Sequence, residues 1–301
     1  MPYKKKDKEV DNIMKNEKTI SSVNIPIEKL HPFEENPYKV LDNDEMNMLT
    51  DSIQEHGILN PIIARPIENK TNEYEVISGH RRLHAAQKVG INEIPALIYA
   101  LDRNAAVIAL VDSNLHREHI LPSEKANAYK LKMEALNRQG ERTDLSLSQV
   151  ATKLDTAAEI GKQSNESRDQ VFRYIRLTNL IPEILQYVDD SKIALTPAVE
   201  LSFLAKEEQT ALLETIESEQ CTPSLSQAQQ MKKLSQNGLL DMDAIFGILT
   251  AEKANQKEQI KFPYERLKQY FPNNYTPQQI EKAILKLLED RKRNKERNNA
   301  R

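Results

Sequence analysis

Residues 74–90 read YEVISGHRRLHAAQKVG. Tyr74 to Ile77 is short, aromatic and β-branched, which predicts a strand. From His80 to Val89 the apolar residues recur at helical spacing, and Gly90 stops the run. Gly79 sits at the junction, where a residue without Cβ lets the backbone approach a ligand closely. The helix behind it presents unpaired N–H groups and the positive end of its dipole. Arg81 and Arg82 add planar, permanently charged donors suited to phosphate oxygens. Together these make an anion site of the helix-N-terminus kind. Paired arginines at a helix start are more often solvated or salt-bridged, so this stretch alone supports both readings.

Outward from the junction, the same block repeats short strands. Val23–Ile27 alternates, Ile62–Ile67 reaches Tyr74 through the polar turn ENKTNE, and Ile94–Tyr99 closes the block. Between the first two strands, Asp42 to Asp44 offer an N-cap, Met46, Leu49 and Ile53 follow at helical spacing, and Gly57 ends the helix. From Asn104 the period is helical almost throughout. Helices are expected over Asn104–His119, Pro122–Gly140, a short span around Leu147–Leu154, Gln170–Leu180, Pro197–Leu213 and Ser224–Leu234. A charged linker follows from Ala251 to Ile260, then short helices over Pro263–Tyr270 and Pro277–Leu288. The expected fold class is α+β. A disordered tail (1–20) precedes a small α/β domain (21–103), an all-α domain (104–240) and a helical C-terminal segment with a basic tail (241–301).

Composition removes several classes. The 301 residues carry a formal charge of -3, 7 glycines, no tryptophan and one cysteine. Few glycines argue against a many-turned β-sandwich or propeller. No run approaches the roughly 18 apolar residues of a membrane span, and no apolar segment follows the basic start, so no secretory signal is expected. Cys221 has no internal disulfide partner and no zinc-type spacing, which fits a reducing cytoplasm. From Arg291 on, six Lys/Arg stand against one Glu, as in a solvated end or a nonspecific DNA contact.

Two further stretches carry chemistry. VDSNLHREHILPSEKA contains Asp112, Ser113, Asn114, His116, Arg117 and His119. Asn and Asp oxygens there suit a Mg²⁺ shared with ligand phosphates, and Arg117 suits the phosphates themselves. A polar helix face is the plainer alternative. The second stretch, LSLSQVATKLDTAAEIGKQSNESRDQVFRYIRLTNLIP, has the layout of a helix-turn-helix. Leu147, Val150, Ala151 and Leu154 would pack its first helix, with Ser148 and Gln149 at its start; Val171, Ile175 and Leu177 would pack the second. That leaves Arg168, Gln170, Arg173, Tyr174 and Arg176 free to face a DNA groove, with Ser167 as cap. The intervening DTAAEIGKQSNE is longer than a standard turn and has room for an extra short helix.

Read together, these blocks resemble the ParB partition-protein family. VNIPIEKLHPFEENPY through LTDSIQEHGILNPIIARP resembles its first block. Gly79-His80-Arg81-Arg82-Leu83-His84-Ala85 resembles its G-E-R-R-x-R-A block. Ser113-Asn114-Leu115-His116-Arg117, with Pro122 and Glu124, resembles its E-N-x-x-R block. The match spans Val23 to Leu204 in the family's order. The segment after about residue 240 departs from the dimerisation segment of chromosomal members, which suggests a plasmid or mobile-element branch. The resemblance implies CTP with Mg²⁺ bound by Gly79, His80, Arg81, Arg82, Ser113, Asn114 and Arg117, with Asn114 at the metal. It also implies a homodimeric clamp on double-stranded DNA, a nucleoid-associated location and a ParA-type ATPase partner. His80, His84 and Ser113 depart from the family's usual Glu, Arg and Glu, departures that bear on hydrolysis more than on binding.

Two other functions compete. A helix-turn-helix regulator of transcription or replication on a mobile element would need no nucleotide. An enzyme of sulfiredoxin type, whose fold the N-terminal block resembles, would need a cysteine beside the anion-binding arginine; Ser78-Gly79-His80-Arg81 has none.

Overall fold

The computed structural model describes residues 22–115, 117, 119–141, 149–251, 270–272 and 275–299. The expected tail over 1–20, most of the linker and the helix expected to start at Pro263 lie outside them. The chain divides into two compact units after Thr250.

In the first unit, five strands form one sheet in the order β1-β5-β3-β4-β2. They are β1 (Val23–Pro26), β2 (Leu30–Pro32), β3 (Ile62–Pro66), β4 (Tyr74–Ser78) and β5 (Glu93–Ile98). β5 pairs antiparallel with β1 and parallel with β3; β4 pairs antiparallel with β3 and parallel with β2. β2 was not expected, because three residues ending in proline are too short to show alternation. Its place is fixed only by pairing with β4.

Helices cover both faces of the sheet, so β4 is apolar on both sides. Val76 packs with Leu83 and Ala86 of α2 (His80–Val89), while Ile77 packs with Ala106, Leu110 and Val111 of α3 (Arg103–Asn114). α1 (Asp44–His56) lies against α2 through Met46, Ile53 and Ala85. Its cap is Asn43, whose Oδ1 accepts the Met46 N–H at 3.1 Å. α3 ends at Asn114, short of the expected His119.

The rest of the unit is helical: α4 (Pro122–Glu141), α5 (Gln149–Ser164), α6 (Arg168–Arg176), α7 (Pro182–Asp189), α8 (Leu195–Leu201), α9 (Lys206–Glu219), α10 (Leu225–Gln236) and α11 (Met242–Thr250). The single helix expected over Pro197–Leu213 is two, α8 and α9. The break falls at Phe203 to Ala205, and the Ala205 N–H is capped by Glu208 Oε2 at 2.7 Å. α7 and α11 are additional. α11 belongs to this unit because Ile245, Ile248 and Leu249 are buried with Leu212, Ile216 and Met231. α4 is shared by three cores: Ala126 lies in the helical one, Ala128 and Ala135 in the one behind the sheet, and Tyr129 and Met133 in the one under α5 and α6.

In the second unit α12 runs from Pro277 to Asn299, so most of the basic stretch expected as a solvated end continues a helix. Ile280 is buried, whereas Leu285, Leu287 and Leu288 are exposed. No helix among the described residues is long and apolar enough to cross a membrane.

Candidate functional site

A cleft of about 280 Å³ opens where β4 hands over to α2. Ser78 to Arg82 form one wall, Ser113, Asn114 and Arg117 a second, and Asn36 with Tyr38 to Val40 a third. The structure therefore brings all seven expected nucleotide residues to one cavity. Lys39 and three arginines line it, and among the described residues no Asp or Glu does. Such a lining favours an anion.

Gly79 is required twice over. Its φ is +102°, and a Cβ there would lie 2.7 Å from Ile62 Cγ2. Arg82 turns back from the helix start: Nη1 donates to the Pro61 carbonyl at 2.8 Å and also to that of Asn60. Burial lowers its pKa. Arg81 is paired with Glu45 at 3.1 Å. His84 reaches Asp42 at 2.9 Å instead of the cleft, and Lys88 joins the same carboxylate, holding Asp42 below the usual carboxylate range.

His80 does not act as a cation here. Its Nε2 accepts the Phe33 N–H at 3.3 Å, and burial pushes its pKa down to about 4 against a hydrogen bond with the Val76 backbone. It is a neutral brace between β2 and β4. Tyr38 is buried with its hydroxyl unpartnered. Burial first, and then the charge of Glu124, raise its pKa.

On the second wall Arg117 Nη1 donates to Asn114 Oδ1 at 3.3 Å, and Asn114 Nδ2 donates to the Leu110 carbonyl at 2.8 Å. Ser113 Oγ donates to the same carbonyl at 2.9 Å. The neighbouring Asp112 carboxylate is taken by Lys132. Among the described residues, a Mg²⁺ at Asn114 would face a guanidinium and meet no free carboxylate. The described lining thus fits phosphate oxygens and does not by itself fit a metal. Among the described residues no group of three or more His, Cys, Asp or Glu is placed to hold a metal. His116 lies outside them.

The second element is the helix pair α5 and α6, where the sequence leads one to expect a helix-turn-helix. α5 continues through Ser164 and absorbs most of the stretch expected as a long turn. Only Asn165 to Ser167 separate it from α6. Asn165 has φ +59°, and the Glu166 N–H returns to the Gly161 carbonyl at 2.7 Å. Ser167 Oγ caps α6 by accepting the Gln170 N–H at 3.1 Å, as expected. Val171 and Leu177 are buried.

The outward set is smaller than expected. Ser167 and Arg168 are exposed, and Arg168 pairs with neighbouring Asp169 at 3.1 Å. Arg173 lies across the helix surface, donating to Gln170 Oε1 at 3.3 Å and Thr196 Oγ1 at 2.6 Å. Tyr174 turns inward, edge-on to Tyr129 with centroids 5.9 Å apart. Arg176 is also engaged: its guanidinium lies 3.8 Å from the Phe203 ring centre, and Nε donates to Ser202 Oγ at 3.3 Å. Gln149 opens α5, and Ser148 lies outside the described residues.

Two features were missed from sequence. The Asn36–Val40 wall had a signal, since ENPY belongs to the first family block. Buried Lys132 had none, because a lysine inside an amphipathic helix reads as a solvated position.

Residues 9–115 match the ParB N-terminal domain family. The chromosome-partitioning protein Spo0J of Thermus thermophilus is 31% identical over 187 residues, covering 62% of this chain and 61% of that protein. The nucleoid occlusion protein of a Geobacillus species is 35% identical over 153 residues, 49% of this chain and 53% of the relative. The chain thus spans between half and two thirds of the length of these curated relatives. Among solved structures, C-terminally truncated ParB from Caulobacter crescentus complexed to the centromeric parS site is 24% identical, covering 72% of this chain and 100% of that one, with a TM-score of 0.41. The same protein complexed with CTP-γ-S is 27% identical, covering 66% and 99%, with a TM-score of 0.31. The ordered motifs, the cleft they line and the family match agree in assigning residues 9–115 to a ParB N-terminal domain.

Proposed function

We propose that this chain is a sequence-specific double-stranded-DNA-binding protein of the partition type, gated by a nucleoside triphosphate. One observation carries the reading: a single compact unit holds both an anion-suited cleft and a helix-turn-helix. The cleft, lined by Arg81, Arg82 and Arg117, takes the triphosphate. The capped start of α6, with Arg168, Gln170 and Arg173, reads the duplex. CTP is the nucleotide by likeness to the family and to the Caulobacter relative. Two copies form a clamp through the C-terminal segment, a ParA-type ATPase is the partner, and the DNA served is a plasmid or chromosomal partition site.

A second reading has its own support. Arg81, Arg82 and Arg117 are all engaged by protein atoms, as in a regulator with no nucleotide switch. Calorimetry with CTP, ATP and GTP, and sequencing of DNA fragments retained by the purified chain, separate the two. Retained fragments sharing one motif together with CTP binding support the gated reading. One motif with no nucleotide bound supports the regulator. Fragments without a common motif remove both.

A further inference from the structure

Lys132 is 1% exposed, among the most enclosed side chains among the described residues, and it is charged. Its Nζ donates to Asp112 Oδ1 and to Gln163 Oε1. Asp112 lies in the last turn of α3, directly before Ser113 and Asn114 of the cleft. Gln163 lies in the last turn of α5, three residues before Glu166 in the helix-turn-helix. One buried ammonium therefore joins the turn that lines the cleft to the turn that sets the reading helix.

The rest of α4 runs the same way. At its start, Glu124 accepts the Lys39 N–H at 2.8 Å, which ties it to the third wall of the cleft. The next residue, Lys125, is paired with Glu166, and one turn on the Tyr129 hydroxyl donates to the other oxygen of that carboxylate at 3.2 Å. α4 is packed into three cores, so it cannot tilt freely between them.

We propose that Lys132 is a positioning residue that couples the cleft to the helix-turn-helix, on the reading given above that the cleft binds nucleotide and the helices bind DNA. A buried ammonium with a lost partner is strongly disfavoured. A ligand that draws Asn114 and Arg117 toward phosphate displaces the turn carrying Asp112. Lys132 then follows Asp112 and shifts Gln163, or it holds Asp112 back. Either way the two sites bias each other, and by linkage the bias is reciprocal.

The test is calorimetry on the full chain, with CTP as one ligand. The other is a duplex that the wild-type chain selects from a random-sequence pool. In the wild type, saturating duplex should change CTP affinity by about fivefold or more. In Lys132→Met each ligand alone should bind within about threefold of wild type, while that ratio falls to about one. A merely structural lysine would lower both affinities together and leave the ratio standing. Should Lys132→Met fail to fold, Gln163→Leu cuts the same link from an exposed position and must flatten the ratio too. The proposal is overturned if either folded variant keeps the wild-type ratio, or if the wild-type ratio is itself one. A wild type that binds duplex but no CTP removes the gated reading as well.

Discussion

The carbonyl oxygen of Glu166 occupies the space that a side chain on Gly161 would need: a Cβ at 161 would lie 2.7 Å from it. The contact closes the turn between α5 and α6, since the Glu166 N–H also returns to the Gly161 carbonyl. Three backbone atoms of the turn stand within 3.3 Å of that Cβ position, and none belongs to a flexible side-chain end. Gly161→Ala should therefore cost about 1–3 kcal/mol through overpacking and swing α6 away from its place. A lowered urea midpoint together with weakened duplex binding checks this; an unchanged midpoint contradicts it.

Arg173 and Arg176, both assigned to DNA by the sequence, should now separate. Arg173 is held by half-buried Gln170 and exposed Thr196. Arg173→Ala should weaken binding by about 1–3 kcal/mol if it reads a base, or lower the salt slope by about one if it touches phosphate. Arg176 is stacked on Phe203 and bonded to Ser202, so Arg176→Ala should chiefly lower the melting temperature. Fluorescence titrations at two salt concentrations, run beside thermal melts, distinguish the pair.

Arg82→Ala should abolish or greatly weaken CTP binding while leaving affinity for a short specific duplex nearly intact. CTP-dependent retention on end-blocked DNA should vanish, because a ligand shifts a clamp only by its differential affinity for the closed form. The Asn60 and Pro61 carbonyls lose their donor as well, so a stability loss of about 1–3 kcal/mol should accompany it. CTP affinity equal to wild type would take Arg82 out of the nucleotide site.

His80 gives the fold an acid sensitivity. Its imidazole takes a proton near pH 4 in the folded chain and near 6.5 when unfolded. Between those values the unfolded chain holds more protons, so stability falls as the pH drops. The contribution is fully present above pH 6.5 and is lost toward pH 4, amounting to about 3 kcal/mol at most. His80→Gln keeps an acceptor for the Phe33 N–H and should show a flatter profile. Urea denaturation of both proteins across that range checks it.

The C-terminal unit should hold two chains together. Leu285, Leu287 and Leu288 are exposed apolar side chains on α12. A chain ending at Thr250 should sediment as a monomer where the full chain sediments as a dimer. If the shortened chain keeps the full oligomeric state, dimerisation resides elsewhere.

Local chemistry was legible from the sequence alone. Gly79 and Gly90 bracket α2 as read, Asn43 lies within the expected cap region of α1, and Ser167 caps α6, because caps and left-handed turns depend on near neighbours in the chain. The seven cleft residues came from the family resemblance of three local blocks, and only the tertiary structure brings those blocks to one cavity. What side chains do with distant partners was not. Whether Tyr174 and Arg176 face a groove depends on Tyr129, Phe203 and Ser202, which lie far along the chain. β2 exists only through its pairing with β4, and the short turn after α5 closes where Gly161, lacking a Cβ, admits the returning Glu166 backbone. Lys132 shows the limit most clearly: its charge predicts solvent, and only the convergence of α3, α4 and α5 supplies the Asp112 and Gln163 oxygens that let an ammonium be buried.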